Sequence, residues 1–401
     1  MLDIKASRVY QNILLIGLGL YLLAGIKTDF IFFFNGNFIS QPLYDFGYYE
    51  RALHAALAGS DPYSIRNVGF GYFYPPPALL IVELFHSLRP FYLKMLTYSV
   101  FNVALLIFII NRVATHYGLS FKETWAWYVL GLGFAPLHEL LLAGQINIVT
   151  LFGIALFFLW PEIPTLSGGG WALAILTKVS PIVLVGNVLV TKNYKLLAAA
   201  LIWIIIATGL SIFRYGLFPL MTYPEVFGWL SHQFPVDLGS QSFVAKMAMV
   251  FGAALPRSGY QLIQIGLMLY IFLVIVASLG LSIGGKQPRE PLFILSVFGM
   301  TILPNVMWYH HYVFLLLPIL IWLGWRRLDV RLATWCLMGL IIIQTDRFYL
   351  TSGLLIHLFV HLSILAILVW QIRQFYSQRQ PARSFLLGKR STQRASEAIV
   401  E

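Results

Sequence analysis

Charge is scarce in this chain of 401 residues: Asp, Glu, Lys and Arg make up 11% of it, where a soluble domain carries about 25%. That shortage excludes an ordinary soluble globular domain. Cysteine is nearly absent as well. The single Cys336 lies in an apolar run, which excludes an intramolecular disulfide and argues against a cysteine metal site. Several nucleotide and metal motifs are missing: there is no Walker loop, no dinucleotide glycine motif in a strand–helix setting, no HExxH and no DxD pair. Use of cytosolic ATP or of a nucleotide sugar therefore has no support. Acidic residues are few, 16 against 27 Lys and Arg, for a formal charge of +11. The excess does not point to nucleic acid, because the basic residues cluster in short loops and in the tail, as membrane topology produces.

Apolar residues are abundant, at 59%, and they recur in runs near the length of a bilayer crossing, which predicts an all-α integral membrane protein. About twelve transmembrane segments are expected. They run over roughly 9–34, 91–111, 124–142, 145–160, two short halves between 168 and 190, then 194–213, 260–283, 291–307, 312–325, 332–344 and 353–372. The first is read as a retained helix, since Lys5 and Arg8 precede it and no small-residue cleavage site follows at the usual distance. The apolar stretch opened by Gly168-Gly-Gly170 is broken at Thr177-Lys-Val-Ser-Pro181. Turning the chain at Lys178 puts Lys192 and Lys195 on the cytoplasmic side and lets later loops obey the positive-inside rule. Residues 1–372 form the membrane domain, with two long outer loops at about 35–75 and 214–257. Residues 373–401 read as a basic, disordered cytoplasmic tail suited to anionic headgroups.

The first outer loop contains Gln41 to Pro77, a polar, aromatic and proline-punctuated stretch between apolar runs. Within it, Phe46 to Ala58 has the mixed pattern of a helix lying in the membrane interface, just after Asp45. Asp45 is either a carboxylate placed for chemistry on a lipid-linked substrate or an ordinary solvated loop residue. Lys178, a charge inside an apolar stretch, is either a phosphate ligand or a lysine that snorkels at a helix end. Gln145 and Asn147, after Gly144, offer amides either to sugar hydroxyls or to neighbouring helices; His138 and Glu139 lie just before them. At Trp308-Tyr-His-His311, His310 or His311 can donate to a phosphate, with Trp308 or Tyr309 as an aromatic platform, or all four belong to an interfacial belt. No carboxylate neighbours the two histidines in sequence, so metal binding is not expected there. The second outer loop offers His232 in Ser231-His-Gln-Phe-Pro, and Asp237 with the polar run after it.

These pieces resemble glycosyltransferase family 87, within the GT-C class of membrane glycosyltransferases. The matching segments are Tyr44-Asp45 with Gly59-Ser-Asp-Pro-Tyr63, Phe73-Tyr-Pro-Pro76, Gly144-Gln-Ile-Asn147, Thr177-Lys-Val-Ser-Pro181, and Pro304 through His311 followed by Pro318. The resemblance implies a polytopic GT-C fold with an interfacial helix in the first outer loop. It implies inverting transfer of a hexose, mannose foremost, from a polyprenyl-phosphate sugar to a glycolipid or glycan acceptor. The reaction would occur on the extracytoplasmic face of the plasma (inner) membrane, without metal or other cofactor. Asp45 would be the base. Lys178 with His310 or His311 would hold the donor phosphate, and Tyr44, Gln145, Asn147, Trp308, Tyr309 and His232 would contact sugar or acceptor. A transporter or flippase of a lipid-linked sugar is the alternative, but it should show paired broken helices, and one good break is legible. A polysaccharide ligase would carry several arginines within its large loop, whereas 214–257 has them only at its ends.

Overall fold

The computed structural model describes residues 2–35, 43–67, 71–233, 240–251, 256–285, 288–326, 329–345 and 350–379. Among the described residues the fold is helical, with no strand beyond one isolated bridge between Ser240 and Trp308. Helix α1 (Leu2–Asn35) leads to a short α2 (Tyr44–Leu57). A 3-10 turn, Pro76–Ala78, feeds α3 (Leu79–His86), and α4 (Phe91–His116) follows. Helices α5 (Phe121–Leu132), α6 (Ala135–Ala143), α7 (Asn147–Leu159) and α8 (Pro164–Thr177) come next. A 3-10 turn at Ser180–Leu184 precedes α9 (Val185–Thr191), α10 (Tyr194–Tyr215), α11 (Phe218–Ser231) and α12 (Phe243–Phe251). The chain continues through α13 (Arg257–Gly285), α14 (Glu290–Ile302), a 3-10 segment at Tyr309–Leu315, α15 (Leu316–Trp325), α16 (Val330–Thr345) and α17 (Leu350–Arg379).

The chain is a multi-pass membrane protein, and its apolar helices differ widely in length. Among the described residues α4, α10, Ser258–Ile283 of α13 and Gly353–Ser377 of α17 are long and apolar enough to span; α5 and α6, bent by 47°, make a fifth if taken together. Helices α7 and α14 have 13 residues each. Such a helix is about 20 Å long against a hydrocarbon core of about 30 Å. Irregular backbone at membrane depth persists only where protein or a wet cavity satisfies its polar groups. Among the described residues the apolar stretches are broken at three places, where one was expected: at Gly133–Phe134, at Lys178–Val179 before the 3-10 turn, and between Ile302 and Tyr309.

The first two breaks have polar clamps. At the α5–α6 bend, Gln344 of α16 donates from Nε2 to the Gly133 carbonyl at 2.7 Å and accepts the Ala135 N–H at 2.7 Å. At Lys178, Trp171 of α8 donates to the Pro181 carbonyl at 2.9 Å, while Thr177 pairs with Thr150 of α7 at 2.9 Å. The chain reverses there, as expected. Asn193, past α9, donates to the Pro161 carbonyl at the start of α8 at 2.7 Å, so Lys192 and Lys195 share an end with the α7–α8 link. Arg112 and Arg289 sit at that same end, over Phe108 at 5.2 Å and Phe158 at 4.6 Å. The Gly153 and Gly170 faces let α7 and α8 touch: a Cβ on Gly170 would meet the Leu156 Cβ at 2.5 Å.

Two expectations need correction. Much of 214–257 is helical, in α11 and α12, with Pro219 in the first turn of α11, where its fixed φ starts a helix and its missing N–H costs nothing. Residues 373–379 continue α17 rather than belonging to a disordered tail, because the apolar run carries the helix past the interface. Residues 380–401 and Asp237 lie outside the described residues.

Candidate active site

Helix α2 forms where the interfacial helix is expected and starts two residues earlier, at Tyr44, so Asp45 lies in its first turn and not before it. Phe46, Tyr49, Leu53 and Ala56 are buried on its inner face, whereas Leu57 at its end is exposed. Its N-terminus is pinned to the α6–α7 link: the Leu43 N–H donates to the Leu142 carbonyl at 2.6 Å. Gly144 makes the approach possible. It holds φ at +76°, and a Cβ there would meet the Phe46 Cβ at 2.7 Å. A salt bridge fixes the far side, where buried Lys94 of α4 donates to Glu50, which also pairs with His86 at 2.9 Å.

Asp45 is half-buried in a ring of hydroxyls and one amide. Its Oδ2 accepts from Gln145 Nε2, while no hydrogen bond reaches Oδ1 among the described residues. The Gln145 carbonyl accepts from Tyr49 at 2.7 Å and from Tyr74 at 2.5 Å, and Tyr98 donates to the Gln145 backbone carbonyl at 2.5 Å. Burial pushes the Asp45 carboxyl up to about 7; the Gln145 bond pulls down, and the nearby Glu139 pushes up. A carboxyl titrating near neutrality suits proton abstraction at physiological pH.

From Asp45 the polar groups run in a chain across the breaks. Glu139 of α6 lies within the field of Asp45 and 3.4 Å from His310 Nδ1. The rings of His310 and His311 are 4.7 Å apart, and Lys178 lies within electrostatic reach of His311. Thus the structure brings together Asp45, Gln145, His310, His311 and Lys178, which are up to 266 positions apart in sequence. Lys178 stands 5.0 Å over the Phe314 ring, and no carboxylate pairs with it among the described residues. His311 Nδ1 accepts the Trp308 N–H at 3.1 Å, so a neutral His311 carries its proton on Nε2 as a donor. Asn147, at the start of α7, is fully buried, and neither of its amide atoms is hydrogen-bonded among the described residues.

Other expected residues stand apart or serve the framework. Tyr309 is buried and donates to the Ile343 carbonyl of α16 at 2.7 Å. Trp308 pairs with Ser240 in the isolated bridge, tying the 303–308 break to the segment before α12. His232 is exposed at the end of α11 and its Nδ1 donates to the Gly228 carbonyl at 2.8 Å. Tyr44 is half-buried beside Asp45. The carboxylate that sequence proximity did not supply to the histidines comes from Glu139, 171 positions away. Tyr49, Tyr74 and Tyr98 were missed as site residues. Tyr74 stood in the Phe73-Tyr-Pro-Pro76 segment and Tyr49 on the apolar helix face, but nothing local marks a hydroxyl as a ligand for a distant amide.

A family model described as glycosyltransferase family 87 matches residues 72–308. The matched interval includes Tyr74, Glu139, Gln145, Asn147 and Lys178; Asp45, His310 and His311 lie just outside it. Among curated proteins, the polyprenol-phosphate-mannose-dependent alpha-(1-2)-phosphatidylinositol pentamannoside mannosyltransferase of Mycolicibacterium smegmatis is 25% identical over 258 residues, 62% of this chain. The match spans 60% of that relative's length. No solved structure matches.

Proposed function

The chain belongs to glycosyltransferase family 87, and on that premise we propose that it transfers mannose from a polyprenyl-phosphate mannose to a lipid-linked or glycan acceptor, with inversion, on the extracytoplasmic face of the plasma membrane. The observation that carries this reading is the pairing of a base-like carboxylate with a cationic pole. Among the described residues, Asp45 leaves Oδ1 open beside a buried hydrogen-bond network, and Lys178 and His311 stand near each other with no carboxylate on the lysine. The activity for which the mycobacterial relative is named supports the donor.

In this mechanism the acceptor hydroxyl attacks the anomeric carbon from the face opposite the phosphate. Asp45 Oδ1 takes the hydroxyl proton as the new carbon–oxygen bond forms. The anomeric carbon–phosphate oxygen bond breaks, and its electron pair leaves with the polyprenyl phosphate. Lys178 and the Nε2–H of His311 stabilise that departing charge. His310 holds Glu139 and keeps a second carboxylate from facing the phosphate unpaired. The polyprenyl chain supplies apolar binding from the bilayer. The test incubates purified protein with radiolabelled polyprenyl-phosphate mannose and extracted membrane glycolipids, then identifies the product and its anomeric configuration. A mannosylated lipid of inverted configuration is expected. Retained configuration, or uptake of donor with no glycoside, rejects the reading.

A further inference from the structure

Gln145 was expected to read sugar hydroxyls, but its carbonyl is already occupied. An amide oxygen has two lone pairs, and Tyr49 and Tyr74 direct a hydroxyl at it from 2.7 and 2.5 Å. The two hydroxyls are themselves 3.2 Å apart, so they converge on one point. The amide nitrogen is what remains, and it faces Asp45. The backbone of Gln145 is fixed independently, by the left-handed Gly144 before it and by the Tyr98 hydroxyl on its carbonyl at 2.5 Å.

We propose that Gln145 is a positioning residue for Asp45, and that the Tyr49 and Tyr74 hydroxyls select the amide orientation in which its N–H faces the carboxylate. With the amide turned over, its carbonyl oxygen would face the carboxylate oxygen, which is repulsive, and both tyrosine hydroxyls would lose their acceptor. The selected orientation has two consequences for the proposed reaction, on which this inference rests. It directs one carboxylate oxygen inward and leaves Oδ1 for the acceptor. It also stabilises the ionised form of a carboxyl that burial would otherwise keep protonated.

The groups facing Asp45 are few. Glu139 faces it from α6, Tyr49 from its own helix, Tyr74 from the outer segment and Tyr98 from α4. The nearby cation Lys94 is engaged by Glu50. The Gln145 N–H is therefore the donor among the described residues that holds the carboxylate ionised.

The experiment is a rate–pH profile from pH 5 to 9 on purified protein with radiolabelled polyprenyl-phosphate mannose and membrane glycolipids. It compares wild type, Gln145→Met, and the double variant Tyr49→Phe/Tyr74→Phe, which keeps both rings in place. Loss of a hydrogen bond to a charged group corresponds to about one to two pH units. The acid limb is expected to move up by that amount in both variants, with turnover down about tenfold or more at pH 7 and largely recovered at pH 9. A uniform loss with an unmoved limb, in variants that fold and bind donor, overturns the positioning role and leaves only a brace between α2 and the α6–α7 link. A wild-type profile with no acid limb removes Asp45 as the base, and the inference with it.

Discussion

At the residue scale the proposed mechanism depends on the ionisation of Asp45. Burial raises its carboxyl to about 7, and a base works only when ionised. The rate should therefore rise with pH, half-maximal near 7, and fall roughly tenfold per unit below it. Asp45→Asn keeps the shape and removes the proton acceptor. Turnover should fall by about 10²- to 10⁴-fold, as loss of a general base does, while donor binding persists. Glycoside formation by the purified variant checks this, and near-normal product would rule Asp45 out. At the cationic pole, Lys178→Ala should raise the donor KM by on the order of 10²-fold, because a phosphate charge left unpaired in a low-dielectric cleft costs several kcal/mol. The histidines should separate. His311→Ala weakens donor use, since its Nε2–H is presented by the Trp308 N–H on Nδ1. His310→Ala acts instead through Glu139, so its larger effect should be on the pH profile. Equal donor KM in both histidine variants would contradict the division.

At the element scale, the site is built where apolar helices stop short, and each stop needs a polar partner. Gln344 supplies it at the α5–α6 bend, serving the Gly133 carbonyl and the Ala135 N–H at once. Gln344→Leu leaves both unpaired, and a buried unsatisfied group costs about 1–3 kcal/mol. The variant should lose thermal stability in detergent by several degrees in a tryptophan-fluorescence melt; an unchanged melting temperature would show that the bend does not need the amide. Gly144 plays the complementary part. Its positive φ and the 2.7 Å approach to Phe46 both oppose a side chain, so Gly144→Ala should displace α2 and reduce turnover more than stability. The hydrogen bonds around Gln145 explain why: they cross from α2 and α4 to the α6–α7 link, and a small displacement breaks several.

At the scale of the whole molecule, the cations and the site lie at opposite ends. Arg112, Lys192, Lys195 and Arg289 gather where α7 joins α8, and the three breaks with Asp45 and Lys178 lie away from that end. The positive-inside rule predicts that the cationic end faces the cytoplasm. A membrane-impermeant thiol reagent applied from outside should tag a cysteine at His232 and not one at Lys192, both exposed. The background for this test is Cys336→Ala, although the native Cys336 is buried. The reverse labelling would invert the molecule and put the site on the cytoplasmic face.

The amino-acid sequence by itself determined that the protein is helical and membrane-embedded, because scarce charge and long apolar runs leave no other way to satisfy the backbone. It also marked the reversal at Lys178, where a cation and a proline interrupt an apolar stretch, and the short helix beside Asp45, where the apolar spacing is local. The tertiary structure alone decided the length of the crossings and the partners of the site. Helix breaks at Gly133 and after Ile302 are stabilised by distant groups such as Gln344, and no local pattern announces them. The same holds for Glu139 beside His310 and for two tyrosines on one amide. Hydrogen bonds between residues about 70 to 170 positions apart follow from how the helices pack, and only the packed chain brings them within 3.5 Å.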